Sequence, residues 1–476
     1  MHQSEDLSVK EVSRREFCKG LVTTALLGSI GCQTLAKLES QRGSMLGTKF
    51  KFIDLFCGVG GFHQALSDLG GECVFASDID EACRNTYQKN YGLYPYGDIT
   101  KIEASEIPSH NILCAGFPCQ AFSKAGKRLG FADETKGTLF FDVVRILKHH
   151  QPEYALLENV RNLASHDKGN TWKVIHEQLD AIGYNVFSKP IIFSPHYIGI
   201  PQHRERVFIM CVRKDLGTLP PFFFDKKKLP PCDIDTILQK DSEISNLDEY
   251  LLSSDQIDLI NLWNEFIQKI DCDKLPGFPV WADSLCSFEV AEATLPEKWK
   301  KQHLDEIPVW AQNFVRKNVQ LWERNQDFLA DWLPRAKKCP LFFGSKAKLE
   351  WQAGQTKMPN IWSNILQFRP SGIRVKPGTY FPALVAITQT SIVGKRKRFL
   401  TPRECARLQS FPDTFKYDNS EAQAYKQFGN AVNVEVVKLF ARYLLGDEMI
   451  RAKYSMPLEV PQALLCGEQD EYLYHV

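Results

Sequence analysis

Several short stretches of the chain place reactive or ligand-binding residue types at the ends of apolar runs. The first, Asp54-Leu55-Phe56-Cys57-Gly58-Val59-Gly60-Gly61, completes the apolar run that begins at Lys51. Glycines there let the backbone turn tightly and approach a ligand closely. The spacing is not G-x-G-x-x-G and no P-loop lysine follows, so the pyrophosphate signature is missing. At the end of the next run stands Ser77-Asp78-Ile79-Asp80, and a carboxylate there can accept hydrogen bonds from two ribose hydroxyls. Together the two stretches suggest a nucleoside cofactor; a merely tight loop is the alternative.

The second stretch is Gly116-Phe117-Pro118-Cys119-Gln120, where proline fixes the turn and Cys119 is placed either as a nucleophile or as an inert loop thiol. In the third, Leu156-Leu157-Glu158-Asn159-Val160, an acid emerges from an apolar run. Held protonated, it could donate to a ring nitrogen; otherwise it caps a helix. The fourth is Gln202-His203-Arg204-Glu205-Arg206. Arg204 and Arg206 alternate along an extended chain and can point into one cleft, though ion pairing explains either arginine equally well. His203 reads as a surface side chain.

Elements that could position these residues recur between Phe50 and Val212. Lys51 to Phe56, Glu72 to Ser77, Ile112 to Gly116, Tyr154 to Glu158 and Val207 to Val212 read as strands, with helices starting at Glu81, Thr138 and Asn170. That alternation predicts a parallel sheet with helices on both faces. After Lys214 the rhythm breaks. Residues 214–390, with Pro220-Pro221, Pro230-Pro231 and one long helix from Val309 to Leu333, read as a second, mixed domain. Glu421 to Leu445 reads as a single helix with Val432, Val436 and Leu439 on its apolar face.

A length of 476 residues allows two to four domains at roughly 150 residues each. The content of 44% hydrophobic and 24% charged residues excludes disordered, collagen-like and fibrous classes. The net charge of +1 conceals an asymmetry: Lys337 to Arg407 holds fourteen Lys or Arg and two acids, Glu350 and Glu404. Such a segment is the footprint of a polyanion partner or a solvated basic surface. Fourteen cysteines include no C-x-x-C pair, so no structural zinc site is expected, and several, such as Cys114 and Cys211, sit in apolar runs like reduced, buried thiols. Arg14-Arg15 before the apolar stretch Gly20 to Gly31 resembles a twin-arginine export signal, and that stretch is shorter than the roughly 20 residues needed to span a membrane.

Taken in order, the glycine turn, Pro118-Cys119-Gln120, Glu158-Asn159-Val160, Gln202-x-Arg204-x-Arg206, the block Arg398 to Pro412 and Gln427-Phe428-Gly429-Asn430-Ala431-Val432 resemble the cytosine-5 DNA methyltransferases of bacterial restriction-modification systems. The likeness covers about 48–214 and 395–445, with Ala431 where the family often has serine. It implies an α/β fold: a Rossmann-like S-adenosylmethionine-dependent methyltransferase sheet with a smaller mixed target-recognition domain. The implied division is an N-terminal extension at 1–47, a catalytic and cofactor domain at 48–213, a target-recognition domain at 214–420, a returning helix at 421–450 and a tail at 451–476.

The resemblance further implies that S-adenosyl-L-methionine contacts Asp54, Phe56, Gly58, Gly60, Asp78, Ile79, Asp98, Pro118, Asn430 and Val432. Cys119 would add to carbon 6 of a flipped cytosine while Glu158 holds N3 and Arg204 and Arg206 position the base. Gln120, Ser123, Lys127, Arg128, Gln202, Lys395, Arg396, Lys397 and Arg398 would contact duplex DNA, the loop from Gln120 to Gly137 closing over it. The expected setting is a cytoplasmic, nucleoid-associated monomer with no membrane partner, accompanied by a restriction endonuclease for the same site. That setting conflicts with export, so the leader is read as an extension before a second start at Met45. A tRNA cytosine-5 methyltransferase and a non-catalytic DNA-binding relative are the alternatives.

Overall fold

The computed structural model describes residues 49–118, 139–287, 290–291, 303–386, 390–417, 420–455 and 473–474. The N-terminal extension lies outside them, as does most of the tail.

The first unit is built on a seven-stranded sheet. Strands β1 (Phe50–Leu55), β2 (Gly71–Ser77), β3 (Ile112–Ala115) and β4 (Tyr154–Val160) run parallel in the order β2-β1-β3-β4. Helices α1 (Gly61–Ser67), α2 (Glu81–Tyr91), α3 (Leu139–His150) and α4 (Asn170–Ala181) alternate with them. Beyond β4 the sheet departs from the all-parallel expectation. Strands β5 (Tyr184–Val186) and β6 (Ile191–Phe193) both pair antiparallel to β8 (Arg206–Arg213), which is itself antiparallel to β4. A parallel return needs a crossover of a dozen or more residues, usually a helix. Between β6 and β8 the chain has only a 3-10 turn, Pro195–Ile198, and the short strand β7 (Gln202–His203).

Apolar residues cover both faces of this sheet, which is why the strands read as continuous runs. Phe52, Cys114, Leu156, Phe208 and Met210 pack into one core with Phe62 and Leu66 of α1. Their neighbours Ile53, Leu113, Leu157, Ile209 and Cys211 pack into another with Phe140, Val143 and Leu147 of α3 and Ile175 and Leu179 of α4.

After β9 (Phe222–Phe223) and α5 (Ser254–Lys269) comes a second sheet. It comprises β10 (Val280–Trp281), β11 (Lys348–Trp351), β12 (Ile365–Arg369), β13 (Gly372–Lys376), β15 (Ile392–Val393) and β16 (Arg398–Phe399), in the order β10-β11-β13-β12-β15-β16. A short strand between β13 and β15, β14 (Phe381–Pro382), stays out of this sheet and pairs in parallel with β7 of the first unit. The expected single helix from Val309 is two, α6 (Val309–Arg324) and α7 (Gln326–Lys338). Asn325 breaks it: its amide donates to the Leu321 and Asp271 carbonyls and accepts from the Asp271 N–H, competing with the helical ladder. Trp263 and Phe266 of α5 and Trp332 of α7 fill the core beneath the sheet.

Helix α8 (Pro402–Leu408) opens with a capping box, Thr401 and Glu404 serving each other's backbone N–H groups. The expected C-terminal helix also divides, into α9 (Glu421–Asn430) and α10 (Val434–Leu445). Asn433 starts the second by accepting from the Val436 N–H at 3.1 Å while its amide donates to the Leu408 carbonyl. The break sets Val432 against Gly61 of α1, and α10 then packs into the core on α1's side of the sheet. Among the described residues no helix is long and apolar enough to cross a membrane.

Candidate active site at the C-terminal edge of the sheet

The glycine turn reverses the chain at the end of β1 with positive φ at Phe56 (55°), Gly58 (51°) and Gly60 (89°). Its glycines do different things. A Cβ on Gly60 would lie 2.3 Å from the Tyr91 ring and one on Gly61 would lie 2.6 Å from Val432, so both permit packing. A Cβ on Gly58 would meet nothing within 4 Å among the described residues, so this glycine faces their open side. Asp78 braces the turn from β2, one oxygen accepting the Gly58 N–H and the other the Asp80 N–H, each at 2.8 Å. Beside it Ile79 is 78% exposed, an apolar surface that the described residues leave uncovered. Phe56 is half-buried, and Asp98 accepts from the Thr100 N–H and hydroxyl. Asp54 corrects the expectation of ligand contact. It is wholly enclosed beneath the turn, neither oxygen has a hydrogen-bond partner among the described residues, and burial raises its pKa well above the carboxylate range.

At the end of β3, Gly116 carries no side chain where the Glu158 carboxyl passes: a Cβ there would sit 3.7 Å from Glu158 Oε2. The Phe117 carbonyl accepts from the Asn159 amide at 2.7 Å, which ties the chain entering Pro118 to the end of β4. Pro118 is exposed. Cys119, Gln120, Ser123, Lys127 and Arg128 lie outside the described residues. Glu158 is buried, and burial pushes its carboxyl pKa up against the opposing pull of Arg206 and Arg204. Arg206 Nε stands 3.1 Å from Glu158 Oε1. The two carboxyl oxygens therefore face different neighbours, Oε1 the guanidinium and Oε2 the end of β3.

Arg204 takes a different place from the one expected. Its guanidinium donates to the carbonyls of Leu384 (2.9 Å), Gly429 (2.9 Å) and Ala431 (3.0 Å), joining the sheet edge to the segment after β14 and to the end of α9. Burial, then the Arg206 charge, brings its pKa down to about 9. Glu158, Arg204, Arg206 and Val432 line one narrow cavity. Val432 abuts Gly61, and exposed Asn430 ends α9 nearby.

The expected DNA contacts divide sharply. Arg398 is fully buried and paired in two places with buried Glu404, at 2.9 and 2.8 Å, so it cannot meet a phosphate. Lys395 pairs with Asp235 at 2.6 Å and Arg396 with Asp241 at 3.2 Å, acids far away in sequence that cancel much of the run's charge. Lys397 alone in that run makes no ion pair among the described residues; its ammonium lies 5.1 Å over the Trp362 ring. Gln202 is fully buried beside β14, with neither end of its amide partnered among the described residues, and so is not a surface contact as it stands.

The sequence alone assigns no role to three positioning residues. Asn159 is one. Gln427 donates to the Ala82 carbonyl and the Thr86 hydroxyl, locking α9 to α2. Gly429 leaves room for the chain at Val385, whose backbone would be 2.6 Å from a Cβ. All three stand in the sequence blocks quoted above, but their partners lie far away in the chain.

Residues 50–445 match the family model described as C-5 cytosine-specific DNA methylase. The chain is 35% identical to "Type II methyltransferase M.AluI" of Cellulosimicrobium cellulans, over 90% of this chain and 98% of that protein. It is 33% identical to "Type II methyltransferase M.HhaI" of Haemophilus parahaemolyticus, over 84% of this chain and 96% of that protein. It is 35% identical to "Type II methyltransferase M.HpaII" of Haemophilus parainfluenzae, over 86% and 92% respectively. With the glycine turn, the buried glutamate and its arginine meeting at one sheet edge, the chain belongs to the C-5 cytosine-specific DNA methylase family and is a DNA cytosine methyltransferase.

Proposed function

We propose that the chain methylates carbon 5 of a flipped cytosine at a specific duplex site through a covalent Cys119 adduct, with S-adenosylmethionine as methyl donor. The observation that carries this reading is the setting of Glu158: enclosed, raised in pKa, braced by Arg206, and one strand away from the chain that enters Cys119. The cofactor fits the residues present. Gly58 has open space where a side chain would stand, Asp78 keeps lone pairs beyond its two backbone contacts, and Ile79 offers an uncovered apolar surface for a purine. Phe56, Asp98, Pro118, Asn430 and Val432 complete the lining, while Asp54 and Gly60 shape the turn from behind.

When bound, the sulfonium cofactor supplies an electrophilic methyl group. The chain's own task is to make carbon 5 nucleophilic, which an aromatic cytosine is not. The Cys119 thiolate adds to carbon 6, and the displaced electron pair moves through carbon 5 toward N3, where protonated Glu158 donates a hydrogen bond. Once carbon 5 has been methylated, loss of its proton to solvent drives the electron pair back, the carbon–sulfur bond breaks and the thiolate returns. Arg206 orients Glu158, and Arg204 is a positioning residue that holds α9 and Leu384 against the edge. The relatives' designation as Type II methyltransferases supports a role as the modification partner of a restriction endonuclease cutting the same site. Comparing transfer of labelled methyl groups from S-adenosylmethionine to duplex DNA and to tRNA tests the reading. Transfer to tRNA alone, or to neither, refutes it.

A further inference from the structure

The second sheet has a polar face for which the methyl-transfer chemistry has no use. Side chains alternate across a strand. The register Ile365↔Lys376, Gln367↔Arg374 and Arg369↔Gly372 therefore sets Ile365, Gln367, Arg369, Arg374 and Lys376 on one side, with Glu350 of β11 opposite Arg374. The other side, Leu349, Leu366, Ile373 and Val375, is core. Along β12 the polar side opens progressively. Ile365 shares the core of Phe381 and Leu384, Gln367 is buried beside the Ser391 hydroxyl at 3.3 Å, and Arg369 is half-buried at the hairpin end. The Leu384 carbonyl accepts from Arg204. The face thus begins beside the reaction edge and climbs away from it.

Its charges are unbalanced. Glu350 holds the Arg374 guanidinium at 2.6 Å. Among the described residues Arg369 and Lys376 make no ion pair, and the one polar contact the Arg369 guanidinium makes there is to Gln367 Oε1 at 3.5 Å. Burial, followed by the charge of Arg374, lowers the pKa of both. Cations held together in this way await an acceptor-rich partner. The contrast with Lys395, Arg396 and Arg398, each matched to an acid, is direct.

We propose that this face reads the target sequence in the major groove, Arg369 presenting its guanidinium to O6 and N7 of a guanine while Gln367 and the Glu350-braced Arg374 set its direction. Of the four base pairs only guanine offers two adjacent acceptors that match a guanidinium fork. The inference rests on the proposed DNA-methylating function and deepens it by naming the specificity residue.

The test begins by mapping methylated cytosines in a duplex library exposed to the wild-type enzyme. Each guanine of the site is then replaced in turn by 7-deazaguanine, which lacks the N7 acceptor. At one position the wild type should lose roughly 10- to 100-fold in methyl transfer. Arg369→Gln should lose about as much on the natural site and be indifferent to 7-deazaguanine there. Binding of S-adenosylmethionine by that variant, measured by equilibrium dialysis, reports an intact fold. Multiplying penalties at every guanine would overturn the assignment. So would equal weakening on all sequences with a salt slope lower by about one, the mark of a phosphate contact. Failure of the wild type to methylate any DNA would instead refute the proposed function itself.

Discussion

Arg398 offers the sharpest test of how the structure apportions the basic run. The sequence places it among four consecutive cations; the fold encloses it completely, with Glu404 equally buried. Its guanidinium makes two charge-assisted bonds to Glu404, a third to Asp241 at 3.1 Å, and further bonds to the carbonyls of Phe399 and Gln239. Arg398→Met keeps most of the stem's volume but leaves Glu404 ionised without a cation, and breaking such a pair costs about 3–5 kcal/mol. Glu404 still accepts from the Thr401 and Gln239 N–H groups, which places the expected loss near the lower end, about 3 kcal/mol. Adding Glu404→Gln removes the stranded charge while preserving a backbone acceptor, and should restore part of that loss. Urea denaturation followed by tryptophan fluorescence measures both variants. DNA binding across a salt series, at a temperature where each is folded, should retain the wild-type slope. If Arg398→Met matched the wild type in stability and lowered the slope by about one, the residue would be a phosphate contact and the burial argument would fail.

Glu158→Gln should lower methyl transfer by about 10²–10³-fold, since the amide can still donate but cannot follow the charge. Because burial raises the Glu158 pKa, its proton is present below the raised value and is lost as pH climbs through it. The wild-type rate should therefore fall on the alkaline side and the glutamine variant should lack that fall; identical profiles would remove Glu158 from the chemistry. Gly429→Ala, whose Cβ would sit 2.6 Å from the Val385 backbone, should cost about 1–3 kcal/mol in thermal or urea unfolding. Gly58→Ala meets no neighbour among the described residues, so it should cost only the strain of its positive φ, about 1–2 kcal/mol, yet weaken cofactor binding in a dialysis assay; equal affinity would place the cofactor elsewhere. Duplex DNA with 5-fluorocytosine at the target should form a denaturant-resistant complex with the wild type in the presence of S-adenosylmethionine. Cys119→Ala should form none, and trapping by the variant would identify another thiol as the nucleophile.

Much of the catalytic unit is legible in the chain because its signals are local. Apolar runs buried on both faces announce β1, β3, β4 and β8, positive-φ glycines announce the turn, and Glu158 stands where an apolar strand ends. What needed tertiary structure is whatever depends on a partner distant in sequence. The direction of β8 follows from the short connection after β6, not from its own residues. The breaks at Asn325 and Asn433 occur because distant carbonyls, those of Asp271 and Leu408, capture side-chain amides that a helix would otherwise carry on its surface. Charge misled for the same reason. Counting cations from Lys337 to Arg407 treats them as one patch, whereas Asp235 and Asp241 come in from far outside the segment to pair with Lys395 and Arg396. Arg204 likewise became a clamp because three carbonyls from distant segments converge on it. Residue type and spacing declare which groups can do chemistry; burial and pairing, which are set by contacts across the whole chain, decide which of them remain free to do it.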